Sequence, residues 1–169
     1  MVNTFLPYPN FLKIAKVLDN KRLGKQRVEA KQILDIVTGE AKYTAWRNHP
    51  VVKQWMLYPD ALKDYINVMI AEWIRRGFKN TMKTYKITKK YKMPWFVKSK
   101  VVNLSHQASL LRKEPTHYKK HFTDVPAQYM KYSYVWPSGL TEDQVDELIR
   151  SKNKILDIKP FAKLFDAKK

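Results

Sequence analysis

Apolar residues recur along the chain at helical spacing, and proline, glycine or a capping residue separates each run from the next. Residues 3–9 break this rule. Pro7 and Pro9 disfavour a helix there, so the segment is predicted to be an extended arm. Asn10 is placed to N-cap a short helix reaching Asp19. A second helix is predicted over 21–38, stopping at Gly39. On it Leu23, Ala30, Leu34 and Val37 fall near one face. Arg22, Gln26 and Glu29, at i, i+4 and i+7, lie on a different, polar face. Pro50 suits a first helical residue after Asn48–His49, and Pro59 opens the next helix. There Leu62, Ile66, Met69, Ile70, Trp73 and Ile74 form a core-facing stripe that ends at Gly77. A helix over 99–113 and a short one after Pro115 follow. Residues 123–140 read as a loop rich in proline, glycine and aromatics. Thr141-x-x-Gln144 is a capping box for a helix to about 151, and a last helix is predicted over "PFAKLFDA". Nearly every element is helical and no repeat is present. The expectation is an all-α fold, one domain over 1–169 with a C-terminal helical extension from about 123.

Composition changes the picture from fold to partner. The 169 residues are 44% hydrophobic and 13% aromatic, a globular balance rather than a disordered one. Lys and Arg number 33 against 15 Asp and Glu, a formal net charge of +18. Such a charge favours polyanions, because basic side chains release condensed counterions from phosphates. No run approaches the roughly 20 apolar residues of a membrane span, and "MVNTFLPYPNFLK" does not read as a secretory signal. The absence of cysteine excludes disulfides and thiolate metal sites. A cytosolic or nuclear, monomeric nucleic-acid binder is expected. From Trp73 to Lys113 there is no acidic residue. Within that stretch "FKNTMKTYKITKKYKMPWFVKSK" interleaves lysine with Phe78, Tyr85, Tyr91, Trp95 and Phe96. Lysine among aromatics suits phosphate contact with base stacking. The competing reading is a solvated loop whose aromatics anchor in the core. DNA contact by some of these lysines is the expectation.

Chemistry has few places to sit. Four glycines leave no phosphate-binding loop, and no nucleophile elbow occurs. His117 and His121 stand at i, i+4 with Asp124 nearby, but a third ligand and a zincin glutamate are missing, which favours histidines facing phosphate over a metal site. Glu29 stands out as a lone carboxylate among Lys21, Arg22, Lys25, Arg27 and Lys31. It could form an i, i+4 ion pair with Lys25, worth about 0.3 kcal/mol. It could instead be a catalytic carboxylate. Scission of a glycosidic bond passes through an oxocarbenium-like species that such a group stabilises, and neighbouring cations would keep it ionised and draw DNA to it.

Four segments in order resemble the pyrimidine-dimer DNA glycosylase family. "RLGKQRVEA" is similar to its Leu-x-x-x-x-x-Glu helix. "HPVVKQWMLYPDALKDYINVMIAEWIRRGFKN" is similar to its paired-helix segment, with the Glu-x-x-x-Arg-Gly-Phe ending at Glu72, Arg76, Gly77 and Phe78. "SHQAS" and "PTHYKKHF" resemble two further blocks. The resemblance implies a compact all-α domain with the N-terminal arm threaded toward the centre. It puts Glu29 on the catalytic glutamate. It makes the terminal α-amine the nucleophile, on Val2 if Met1 is removed or on Met1 if it is retained. An α-amine has a pKa near 7.7–8.0, so roughly a tenth is neutral at pH 7. Attack on C1′ would leave a Schiff base, β-elimination would cut the strand, and neither metal nor organic cofactor is implied. Candidate contacts to duplex DNA are Lys21, Arg22, Lys25, Arg27, Arg47, His49, Arg75, Arg76, His106, Tyr118 and Lys119. The implied activity is a DNA glycosylase with AP-lyase function acting on damaged pyrimidines, cyclobutane dimers first. The alternatives are a relative acting on a modified pyrimidine and a non-catalytic basic DNA binder.

Overall fold

The computed structural model describes residues 2–42, 45–131, 134–137 and 165–168. Six α-helices follow the arm: α1 (Phe11–Val17), α2 (Asn20–Thr38), α3 (Pro50–Trp55), α4 (Pro59–Arg75), α5 (Lys100–Lys113) and α6 (Pro115–Tyr118). Short 3-10 turns lie at Trp95–Lys98 and Ala127–Lys131. A single antiparallel strand pair, β1 (Tyr134–Pro137) with β2 (Phe165–Lys168), is the only departure from an all-α fold among the described residues. The last helix expected over "PFAKLFDA" is therefore corrected in its described part, Phe165–Ala167, which is strand paired in register with "YVWP". Its aromatic and β-branched partner strand suits a ladder better than a helix. The helix expected at 141–151 lies outside the described residues. No described helix is long and apolar enough to cross a membrane.

The helix boundaries follow local chemistry. The Asn10 side chain accepts from the Lys13 N–H at 2.9 Å and caps α1; Asp19 accepts from Arg22 N–H at 3.1 Å and caps α2. Gly39 ends α2 with φ of 80°, a left-handed conformation that glycine adopts without steric cost. Pro50 and Pro59 occupy first-turn positions, where the missing N–H costs nothing. On α4 the inner face is Ala61, Leu62, Tyr65, Ile66, Met69, Ile70 and Glu72. Ile74, expected in the stripe, is 54% exposed because it falls on the outer side of the last turn. Gly24, inside α2, lets the Trp73 ring lie against the helix, where a Cβ would meet the ring at 3.0 Å.

The arm runs through the core. Val2, Phe5 and Leu6 are buried with Thr4, although the segment has no ladder or helix of its own. Side chains of four helices supply its hydrogen bonds instead, since a buried backbone must be paired. From α2, Gln26 accepts from Phe5 N–H at 2.8 Å and donates to Asn3 O at 3.2 Å. From α3, Gln54 and Trp55 donate to the Thr4 hydroxyl at 3.3 and 3.0 Å. From α4, the Tyr65 hydroxyl donates between Phe5 O and Gln26 Oε1. From α5, His106 Nδ1 accepts from Leu6 N–H at 3.0 Å, and Asn103 and Gln107 donate to Leu6 O and Pro7 O at 2.7 and 2.8 Å. Burial lowers His106 to a pKa of about 3, so the ring is neutral and Nδ1 is free of a proton to accept that bond.

Two basic residues serve the fold. Arg76 donates to Ala15, Lys16 and Leu18 carbonyls at 2.7–3.1 Å, closing the C-terminal end of α1, while its Nε donates to Glu72 at 2.9 Å. His117 Nε2 donates to Val17 O at 2.8 Å and completes the same cap. Glu72 is nearly buried and also takes two bonds from Arg75 at 2.7 Å. Pairing with Arg75 first, and Arg76 next, outweighs burial and lowers Glu72 to about 2. A depressed carboxylate stabilises the fold above its unfolded value near 4.5, and that contribution fades as pH falls toward 2. Arg76→Met is expected to cost about 2 kcal/mol at pH 7, because it leaves the carbonyls at the end of α1 without a donor and takes one of two arginines from Glu72. Urea denaturation at pH 7 and pH 3 measures this, and the difference between wild type and variant should shrink at the lower pH.

The segment from Phe78 to Met93 forms a strap across α2 and α4. Met82, Tyr85, Tyr91 and Met93 turn inward onto the core. One side chain, Asn67, pairs both backbone groups of Tyr85, donating to O and accepting from N, each at 2.7 Å. Tyr91 donates to the Asp64 carboxylate. The anchored-aromatic reading holds for Tyr85, Tyr91 and the buried Phe96, while Phe78 is exposed and stacks on Trp73.

Candidate active site

The polar face of α2 does two jobs. Gln26 is wholly buried and holds the arm, and Glu29 begins the cleft that the arm opens into. Asn3, Phe5, Lys21, Arg22, Lys25, Glu29 and Lys113 line this cleft of about 360 Å³. Asn3 N–H donates to Glu29 Oε2 at 3.2 Å, and Gln26 Nε2 donates to the same oxygen at 3.4 Å. One N–Cα–C–N step spans at most about 3.7 Å, so the Val2 nitrogen lies within about 7 Å of that carboxylate. Met1 lies outside the described residues.

Glu29 is pushed above the ordinary carboxylate value by burial, partly offset by the Asn3 N–H and by the charges of Lys25 and Lys113. A carboxylate with a raised pKa is a better proton acceptor near neutrality. The contact ion pair with Lys25 that i, i+4 spacing allowed is not formed; no such pair occurs among the described residues. Lys25 is a nearby charge instead.

The structure sorts the other predicted residues. Lys21 and Lys25 are exposed at the cleft, and Arg22 lines it while bound to Asp19 at 3.0 Å. Lys119 is exposed just beyond Tyr118. His49 caps α3 by accepting from Val51 N–H at 3.1 Å and packs edge-on against Trp136, whose indole donates to Asn3 Oδ1 at 3.3 Å. It thus stands one residue behind the cleft wall. Arg47 is exposed on the α2–α3 connection and Arg75 on the last turn of α4, neither among the residues lining the cleft.

Five assignments are corrected. His106 is fully buried under Leu6. Tyr118 is fully buried, stacked on Phe122, and donates to Asp19 Oδ2 at 2.6 Å; it props the N-terminus of α2 and does not reach solvent. Arg76 spends its donors on Glu72 and the end of α1. Arg27 lies over the Trp73 ring at 4.2 Å and donates to Asn80 at 2.7 Å, on the opposite side of α2 from Glu29. His117, read as facing phosphate, turns its Nε2 into the fold.

Sequence reasoning missed Lys113, Asn3 and Trp136. Lys113 enters the cleft from the last turn of α5, and its amine is lowered first by burial and then by Arg22 and Arg112. Nothing at position 113 announces this, because proximity to Glu29 arises only from how α5 packs. Trp136 sits in a stretch read as loop, and no local pattern ties it to Asn3.

No curated protein and no solved structure matches the chain. The family described as pyrimidine dimer DNA glycosylase matches residues 2–86, half of the chain, and this span holds the arm, α1 to α4, Glu29 and most of the strap. The chain therefore belongs to the pyrimidine dimer DNA glycosylase family.

Proposed function

We propose that this protein releases a damaged pyrimidine from duplex DNA, a cyclobutane dimer in the first instance, and then cuts the strand as an AP lyase. The observation that carries the reading is the 3.2 Å bond from Asn3 N–H to Glu29, which puts the threaded end of the arm at a carboxylate inside a basic cleft. The nucleophile is the neutral α-amine of Val2 once Met1 is removed, or of Met1 if it stays. Its lone pair attacks C1′, the C1′–N bond breaks, and the base leaves with a proton. The C1′–O4′ bond then opens, O4′ takes a proton as the nitrogen loses one, and an imine forms at C1′. Removal of a C2′ proton then expels the 3′ phosphate, and water frees the amine at the end. Glu29 stabilises positive charge on the sugar and passes the protons. Lys21, Arg22, Lys25 and Lys113 would face the phosphates.

Borohydride reduction tests this directly. Incubation with lesion duplex is expected to leave a covalent adduct that maps to the first residue of the purified chain. No adduct with either dimer-containing or abasic duplex would reduce the protein to a binder.

The basic residues divide in a way that binding can check. Lys25→Gln is expected to lower the slope of log K against log salt by about one. Arg76→Met should leave that slope unchanged, since its guanidinium is held inside the fold. Equal slopes for both variants and the wild type would move the DNA off the cleft.

A further inference from the structure

The strap carries its lysines on a face that the cleft does not use. Lys79, Lys83, Lys86, Lys89 and Lys90 are all exposed, and none forms an ion pair among the described residues. Between them the inward residues, Met82, Tyr85 and Tyr91, pin the segment to the core. The strap is also tied to the back of α2. Arg27 holds Asn80, and Lys31 with Asp35 lies beside Tyr85. At 100° per residue, Arg27 and Lys31 each point about 160° away from Glu29. A helix with its side chains, about 10–12 Å across, thus stands between the strap and the cleft.

The carboxylates facing the strap are few and already engaged. Asp35 takes Lys31 at 2.6 Å, and Asp64 takes Tyr91. Glu40 also acts on Tyr85. Five outward lysines on a fixed frame remain. Tyr85 and Tyr91 turn inward, and the exposed Phe78 is already stacked on Trp73, so the outward lysines leave phosphate contact as the strap's main offer. The denser line of phosphates is a duplex, with one charge per about 1.7 Å of axis.

We propose that the strap binds a second segment of duplex DNA by its phosphates while the cleft holds the first. Two faces on opposite sides of α2 let one molecule bridge two duplexes. They also let it pass from one segment to another without full release. The proposal rests on DNA as the partner and is independent of the imine chemistry, since it is read by occupancy alone.

The test uses the full chain, a bead-bound lesion duplex of about 12 base pairs and a free labelled undamaged duplex of the same length. At about 0.15 M salt, where the screening length is about 8 Å, unrelated charges contribute little. Wild type is expected to retain the labelled duplex on the beads. Lys83→Gln/Lys86→Gln/Lys89→Gln/Lys90→Gln should lose that capture at least tenfold while binding the lesion duplex within about twofold of wild type. Lysine acetylation of the wild type supplies a check that needs no variant. At one duplex per protein, Lys21 and Lys25 should be protected while Lys83 to Lys90 react; excess duplex should then protect the strap. Protection of both faces by the first duplex would overturn the proposal in favour of one wrapped footprint. Capture that is absent in wild type, or unchanged in the variant, would overturn it too, as would transfer of the protein to anionic vesicles through the strap in preference to duplex.

Discussion

Glu29→Gln is expected to abolish base release and strand cleavage while leaving affinity for lesion duplex equal or higher. The substitution keeps the size of the side chain, and the amide oxygen can still accept from Asn3 N–H and Gln26 Nε2, so the arm should stay docked. It removes the charge that would stabilise the sugar cation and the base that would take its protons. Groups of this kind are worth about 10²–10⁴ in rate, and Glu29 would serve both roles. Affinity should not fall, because the lost charge is a negative one among Lys21, Arg22, Lys25 and Lys113. Single-turnover cleavage and equilibrium binding on the same duplex separate the two effects. Undiminished cleavage by the pure variant would leave Glu29 as the anchor of the arm and nothing more. In the wild type the acid limb of the rate profile is expected above the ordinary carboxylate range, since burial raises Glu29 and its ionised form would be the working one.

Blocking the N-terminus should be as severe. A chain acetylated at its first nitrogen is expected to lose borohydride trapping by at least about a hundredfold while keeping most of its affinity for the duplex. A lysine protonates near 10.4, so well under a thousandth is neutral at pH 7, against about a tenth of an α-amine. The reaction of the free chain should therefore climb with pH until the amine titrates near 8 and then level. Among the cleft lysines, Lys113 is the one whose lowered amine competes best. It stands in the cleft and its amine is lowered by burial, Arg22 and Arg112. Lys113→Arg keeps the charge and removes the primary amine. Trapping that survives acetylation but disappears in the acetylated Lys113→Arg protein would move the nucleophile to Lys113. Trapping that survives both would defeat the assignment to either amine.

Much of the scaffold is legible before folding because its signals are local. Asn10, Asp19, Gly39, Pro50 and Pro59 set helix ends through bonds or dihedral limits that reach no further than one turn. The stripe on α4 is legible for the same reason, and it fails at Ile74, where the helix runs past the core it packs on. The charge of +18 needs no structure to point at a polyanion.

The uses of individual polar side chains are not local. Arg22, Gln26 and Glu29 share a face by helical spacing, but which of them is buried depends on the arm, which arrives from another part of the chain. Gln26 goes inside because an extended segment in the core must find partners for its own backbone. Glu29, one turn on, stays at the edge of that contact and opens to the cleft. Arg76 and His106 look like surface cations in the sequence and prove to be the cap of α1 and a neutral acceptor for Leu6. The strap's lysines and the cleft's lysines have the same composition. The side of α2 on which each lies is set by packing of Tyr85, Tyr91 and Trp73 against helices far away in sequence. Residue type and spacing therefore settle the helices and the class of partner. Only long-range packing, which chooses among chemically equal side chains by where the buried backbone and rings find partners, settles which charges meet at Glu29.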